Sequence, residues 1–172
     1  MGFLKNLFGD ARKETDSNNV ETEKNTVYAP LRGNVIPLKE IGDGVFSEGV
    51  LGQGCGIEPD SETVTAPFNG TITQVADTKH AVGLESTDGV EVLIHVGMDT
   101  VSMNGKGFTV YVKTGDKIQC GQKLMSFSKK AIAEAGFKDT AAVIITNTDD
   151  YSSVELLKTG AVTANEKLIQ IK

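Results

Sequence analysis

The chain has 172 residues, 39% hydrophobic and 23% charged, enough to bury one sizeable core and too mixed for a collagen, a coiled coil or a disordered polymer. With 17 Lys and Arg against 23 Asp and Glu, the net charge of −6 opposes binding to a phosphate backbone and excludes nucleic acid as an expected partner. Cys55 and Cys120 stand in no metal spacing, no apolar run approaches the roughly 18 residues of a spanning helix, and no signal-peptide pattern opens the chain, so a reduced cytoplasmic protein is expected.

In chain order, residues 1–25 stand apart. Phe3, Leu4, Leu7, Phe8 and Ala11 form one helical stripe with Lys5, Arg12 and Lys13 beside it. The stripe predicts peripheral contact of residues 1–13 with the inner face of a membrane. Against this stands the plain reading of a frayed tail, because about ten residues are marginal for an isolated helix in water. Asn6 stands where N-myristoylation requires Ser or Thr, so no lipid anchor is expected. Asp10–Asn25 holds only Ala11 and Val20 as apolar residues and reads as linker, which leaves 1–25 as a flexible tail and 26–172 as one domain.

From Thr26 onward, period-2 stretches punctuated by Gly, Pro, Asn and Asp predict an all-β fold. One unit recurs: Thr26-Val27-Tyr28-Ala29-Pro30-Leu31-Arg32-Gly33 returns as Thr63-Val64-Thr65-Ala66-Pro67-Phe68-Asn69-Gly70, a strand, a Pro-led turn and a further strand. Two copies are too few for a solenoid and predict an antiparallel β-sandwich or flattened barrel built on a duplicated hairpin. Val112–Leu124 reads as strand, Gly115-Asp116 turn and strand, and resembles the hairpins of biotinyl and lipoyl carrier domains. Helix signals are few: Ser128 caps a short helix over 129–135 ended by Gly136, and Ser152-Ser153-Val154-Glu155 has capping-box spacing ahead of Leu156 and Leu157. Both predict surface helices.

No nucleophile elbow and no P-loop occurs, and the search for chemistry reduces to His80 and His95, the two histidines. In Gly89–Gly97, alternation puts Val92, Ile94 and Val96 on one face and Glu91, Leu93 and His95 on the other. His95 thus points away from the main core stripe, as a reactive group in a docking patch would and as a strand histidine packed on a neighbouring sheet would too. His80, in Asp77-Thr78-Lys79-His80-Ala81, precedes the next strand, and a hairpin returning there sets it beside His95 unless it is an exposed turn residue. Two imidazoles together suit zinc ligation, which lacks further ligands here, or phosphoryl transfer with one ring as nucleophile and the other steadying phosphoryl oxygens.

At these residues the chain resembles a known family. Gly89-Val-Glu-Val-Leu-Ile-His95-Val-Gly-Met-Asp99-Thr100-Val101, continued by Gly105-Lys106-Gly107-Phe108, is similar to the phosphorylation-site signature of the glucose-type enzyme IIA of the bacterial sugar phosphotransferase system. Ala29 to Gly33, Ala66 to Gly70 and Thr78-x-His80-Ala81 also match that family's pattern, over residues 26–172. The resemblance implies a β-sandwich phosphocarrier. His95 accepts a phosphoryl group from the histidine-containing phosphocarrier protein and passes it to a cysteine of a sugar-specific IIB domain, His80 assists and Thr78 supports His80. It implies partner contacts at Phe46, Leu93, Val96, Asp43 and Asp99, IIB/IIC permease components as further partners, and no cofactor or metal.

Three other readings stand beside it. A lipoyl or biotinyl carrier would modify Lys79, a zinc peptidase-like protein would need a third metal ligand, and a purely regulatory protein would keep the fold without turnover.

Overall fold

Alternating apolar positions, cut short by Gly, Pro and Asn, build fourteen strands within residues 20–172, the part of the chain that the computed structural model describes. One eight-stranded sheet dominates. Its order is Gly160–Val162 (β13), Gly33–Pro37 (β2), Gln53–Pro59 (β3), Ala141–Ile145 (β11), Glu91–Val96 (β7), Ala81–Ser86 (β6), Gly70–Val75 (β5) and Lys117–Ile118 (β9). Two three-stranded sheets complete the fold. Thr26–Tyr28 (β1) and Val154–Leu156 (β12) flank Lys167–Ile171 (β14), while Thr63–Thr65 (β4) and Phe108–Val110 (β8) flank Lys123–Phe127 (β10). Every pairing is antiparallel. Val35, Ile57, Ile94 and Val143 of the large sheet share one buried cluster with Val27, Ile169, Leu124 and Met125 of the small ones, which makes the molecule a sandwich with no closed barrel.

The repeated sequence unit is repeated in space. The two Pro-led turns bond reciprocally, Tyr28 N donating to Pro67 O at 2.8 Å and Thr65 N to Pro30 O at 2.7 Å. Ala29 and Ala66 take equivalent partners: Ala29 N donates to Glu166 O at 2.7 Å, and Ala66 N to Gln122 O at 2.8 Å. The glycine closing each unit faces a backbone carbonyl so closely that a Cβ would lie 2.2 Å from Glu58 O at Gly33 and 2.0 Å from Glu85 O at Gly70. Only a residue without a side chain fits either place.

The helix Lys129–Glu134 forms as expected, with Ser128 Oγ accepting from the Ala131 amide at 3.0 Å and Gly136 in a left-handed conformation just beyond it. The second expected helix does not form. Val154–Leu156 is β12, and the Ser152 and Ser153 amides donate to the Lys172 carbonyl at 2.7 and 3.0 Å. Val154 and Leu156 pack on the main core, and strand pairing with β14 outweighs a local capping pattern. In the Val112–Leu124 signature the turn is present, Asp116 Oδ2 accepting from the Lys113 amide at 2.9 Å. Its strands are shorter than expected: β8 ends at Val110, two-residue β9 pairs with β5, and a second turn at Gly121 precedes β10.

The amphipathic stripe expected over residues 1–13 lies outside the described residues. Val20–Asn25, expected as the end of a linker, run against the domain, Glu23 pairing with Lys167 at 2.7 Å and Asn25 N donating to Asp88 Oδ2 at 3.1 Å. Among the described residues no helix is long and apolar enough to cross a membrane.

Candidate functional site

Strand β7 keeps the expected alternation: Val92, Ile94 and Val96 are buried in the main core, and Leu93 and His95 face the other way, each partly exposed. Val96 is therefore not a partner-binding residue. Its side chain has 0% exposure and points to the core face, where no partner reaches it. The β6–β7 hairpin sets Ala81 opposite His95, and Val96 N donates to His80 O at 2.8 Å, so the two imidazoles lie side by side. Their centroids are 4.6 Å apart, with the planes at 86°. His80 is buried, with 6% exposure, rather than an open turn residue. Thr78 Oγ1 lies 2.8 Å from His80 Nδ1 and fixes that ring.

A loop from the other half of the sheet supplies the opposite wall. Asp43 accepts from the Phe46 amide through Oδ2 and from the Ser47 amide through Oδ1, both at 2.9 Å, and this turn lays the Phe46 ring 4.9 Å from the His95 ring. Phe46, Ile41, Met98, Ala142 and Ile144 form a second apolar cluster, against which Leu93 packs. After His95 the chain turns through Gly97, where a Cβ would meet Thr100 Cγ2 at 2.3 Å, and Thr100 Oγ1 donates to Val96 O at 2.6 Å. Asp99 follows in a left-handed conformation with an exposed carboxylate.

His95, Phe46, Asp43 and Asp99 line one cavity of about 570 Å³. It also contains Val45 and Lys138, for which the sequence offers no motif, and Val101, the last residue of the His95 signature. The two valines are the exposed apolar residues of the rim, at 48% and 52%. Val45 lies in a bend and Val101 in the short 3-10 helix Thr100–Met103, with no alternation to betray them, and Lys138 arrives through the Met98–Lys138 backbone bond just beyond the β11–β7 pair.

Burial first, then the neighbouring His80 ring, push the His95 pKa down to about 4, with the Gly97 backbone and Asp43 partly opposing. Burial also lowers His80, against the Thr78 backbone. At pH 7 the His95 ring is neutral. Its Nδ1 is buried without a hydrogen-bond partner, which leaves Nε2 as the nitrogen open to the cavity. Burial is the largest single influence on the Asp43 carboxyl and raises it, yet the Phe46, Ser47 and Val45 amides and the Ser47 hydroxyl together hold it below its usual range. The competing nucleophiles are closed off: burial drives the Cys55 thiol to about 12 and the Cys120 thiol to about 11. Among the described residues no cluster of three or more His, Cys, Asp or Glu side chains is arranged to hold a metal. Lys79 sits exposed in a left-handed turn conformation immediately before His80.

This arrangement, a neutral ring nitrogen facing a cavity beside a second imidazole fixed by a hydroxyl, agrees with what known proteins resemble the chain. The family model described as "phosphoenolpyruvate-dependent sugar phosphotransferase system, EIIA 1" matches residues 25–151. The PTS system glucose-specific EIIA component of Oceanobacillus iheyensis is 41% identical over 167 residues, 97% of each chain. The PTS system beta-glucoside-specific EIIBCA component of Bacillus subtilis is 42% identical over 151 residues, which are 88% of this chain and 25% of that protein, so the chain spans about a quarter of such a relative. Among solved structures, the glucose permease IIA from Mycoplasma capricolum matches with a TM-score of 0.80 and 34% identity, covering 86% of this chain and 96% of that one. By family model, by full-length relative and by fold, the chain belongs to the EIIA 1 family of the phosphoenolpyruvate-dependent sugar phosphotransferase system.

Proposed function

We propose that this chain is a phosphocarrier that receives a phosphoryl group on His95 Nε2 from the histidine-containing phosphocarrier protein and hands it to a cysteine of a sugar-specific IIB domain. One observation carries the reading: a ring held neutral, with one nitrogen buried and the other facing a cavity beside a second imidazole. A neutral imidazole keeps a lone pair at pH 7, and the phosphorus–nitrogen bond it forms stays reactive enough to be passed on. In the accepting step the Nε2 lone pair bonds to phosphorus while the donor's phosphorus–nitrogen bond breaks, its electron pair returning to the donor ring. Delivery repeats the exchange with a thiolate as acceptor.

His80 assists. In the tautomer in which Nδ1 accepts from the Thr78 hydroxyl, the proton of the neutral His80 ring sits on Nε2, where it donates to oxygens that gain charge as the group moves. Phe46 and Leu93 offer an apolar floor, and Asp43 and Asp99 an acidic rim that suits a donor with basic residues. On this reading the protein works in the cytoplasm with IIB/IIC permease components as downstream partners.

The test is direct: incubate the protein with phosphoenolpyruvate, enzyme I and the histidine phosphocarrier. One acid-labile phosphoryl group on His95 is the expected product, and label on any other residue, or none, overturns the reading.

A further inference from the structure

A phosphoryl group on His95 enters a cavity whose charged lining is Asp43, Asp99 and Lys138. Near neutral pH such a group carries close to two negative charges, so both carboxylates oppose its arrival and a cation is needed to offset them. Among the described residues lining the cavity, Lys138 is the one Lys or Arg.

Its backbone is held and its side chain is not. Ala142 stands opposite His95 in the β11–β7 register, and the pairing continues past the strand ends, Gly97 N donating to Thr140 O at 2.9 Å and Met98 N to Lys138 O at 3.0 Å. These bonds step out of the strand register, and they bring Lys138 to the wall of the His95 cavity. On its N-terminal side Phe137 is anchored in the core, its amide donating to Ile132 O at 3.1 Å. On the other side, Asp139 is paired with Lys129 at 3.1 Å. Lys138 itself is exposed and forms no ion pair with the described residues. It also borders a second depression lined by Glu40, Glu58 and the Lys129–Asp139 pair, so Lys138 lies on the divide between that depression and the His95 cavity.

Resting on the phosphocarrier reading above, we propose that Lys138 closes on the phosphoryl oxygens of phosphorylated His95 and stabilises the carried state. A lysine stem is long and flexible enough to swing between the two depressions, and an ammonium is a mobile point charge rather than a fixed fork. In the unphosphorylated protein the ammonium pairs with no carboxylate among the described residues. The arriving dianion supplies a partner. No bond to Lys138 forms or breaks; it moves charge toward the group that His95 carries.

The experiment compares wild type with Lys138→Gln and Lys138→Arg after phosphorylation by phosphoenolpyruvate, enzyme I and the histidine phosphocarrier. The phosphoryl group is read directly by a phosphorus NMR titration of each separated phosphoprotein. If Lys138 faces the phosphoryl group, the Lys138→Gln resonance titrates at a higher pH, by about half a pH unit, because the dianion has lost a neighbouring cation. The share of phosphoryl groups held at equilibrium against the donor falls about threefold in the same variant, and Lys138→Arg restores both. An unchanged titration in a labelled Lys138→Gln protein overturns the proposal while leaving the phosphocarrier reading intact, even where the rate of donor association changes. A wild-type chain that takes no label on His95 overturns both.

Discussion

The two halves of the large sheet mirror each other about the β11–β7 pair: β13, β2, β3, β11 on one side repeat as β9, β5, β6, β7 on the other. With Gly33 matched to Gly70, the registers carry Gly54, opposite Ile144, onto Ala81, opposite His95. One residue earlier, Gln53 corresponds to His80. One half of the frame thus presents an amide and an aliphatic side chain at the places where the other presents two imidazoles. The connections differ as well. Between β5 and β6 the chain needs only 76–80 and delivers His80 straight into β6, whereas between β2 and β3 it runs through 38–52 and folds Ile41 and Phe46 over Ile144 and toward His95. Duplication supplies the scaffold twice, and the site arises because the long loop of the inert half walls the histidines of the other.

The largest break in this comparison is His95→Gln, which gives the reactive half an amide in place of its outward imidazole. Phosphoryl acceptance should vanish while the fold stays, as read by labelling and by circular dichroism. The same variant tests the buried ring. The ordinary histidine pKa is near 6.5 and that of native His95 is about 4, so between those values the unfolded chain binds more protons than the native one. Native stability is therefore full above pH 6.5 and falls as pH drops toward 4, by on the order of 3 kcal/mol from this group, with His80 acting in the same direction. Denaturant titrations of His95→Gln across this range should show a visibly shallower fall. A slope equal to wild type would mean that the ring is not buried as described.

Gly33→Ala and Gly70→Ala test whether the halves are equivalent as scaffold. Each Cβ would overlap a backbone carbonyl, so each should cost about 2–4 kcal/mol of stability, alike within the scatter of such measurements. If one is tolerated and the other is not, the symmetry is one of sequence rather than of packing. Next in size comes His80→Ala, which removes a donor to the moving phosphoryl group. Transfer should slow by about tenfold or more, about 1.4 kcal/mol of barrier, with labelling still confined to His95. Unchanged rates for both acceptance and delivery would refute the assisting role, whereas Thr78→Val should produce a smaller slowing by freeing the His80 ring.

What was legible in the sequence had short range. The Pro-led units, the alternation of β7 and the hairpin that pairs the histidines all depend on neighbours along the chain, and the structure keeps each of them. Ser152–Glu155 misled because a capping box is a local preference, and the carbonyl of Lys172 together with β14 offered those amides better partners. For Val96 the family resemblance and the strand alternation point to opposite faces, and its burial agrees with the alternation. Lys138 and Val45 carry no sequence signal, and Val101 stands in the signature with nothing to show that it is exposed at the rim. All three reach the cavity through segments just outside the β11 and β7 strands and through a bend, whose course depends on tertiary contacts.

The smallest expected effect concerns the acidic rim, where the two aspartates divide between scaffold and recognition. Both carboxylate oxygens of Asp43 hold amides of the Phe46 turn, so this residue positions the wall as well as charging the rim. Asp99 has no cap bond from its side chain, is exposed and sits in a left-handed conformation that asparagine tolerates equally well. Asp99→Asn therefore removes charge and little else. If the rim steers a basic donor, this variant should lower the rate of phosphoryl acceptance by about two- to threefold at low salt and flatten its dependence on ionic strength. At high salt the variant and wild type should converge, since screening removes what the substitution removed. Asp43→Asn should lower the rate by a salt-dependent part of similar size and by a salt-independent part, because an amide supplies one acceptor oxygen where the turn uses two and the Phe46 ring loses its fixed place beside His95. Rates for Asp99→Asn that match wild type at every ionic strength would confine Asp99 to turn geometry and leave recognition to the apolar residues around His95.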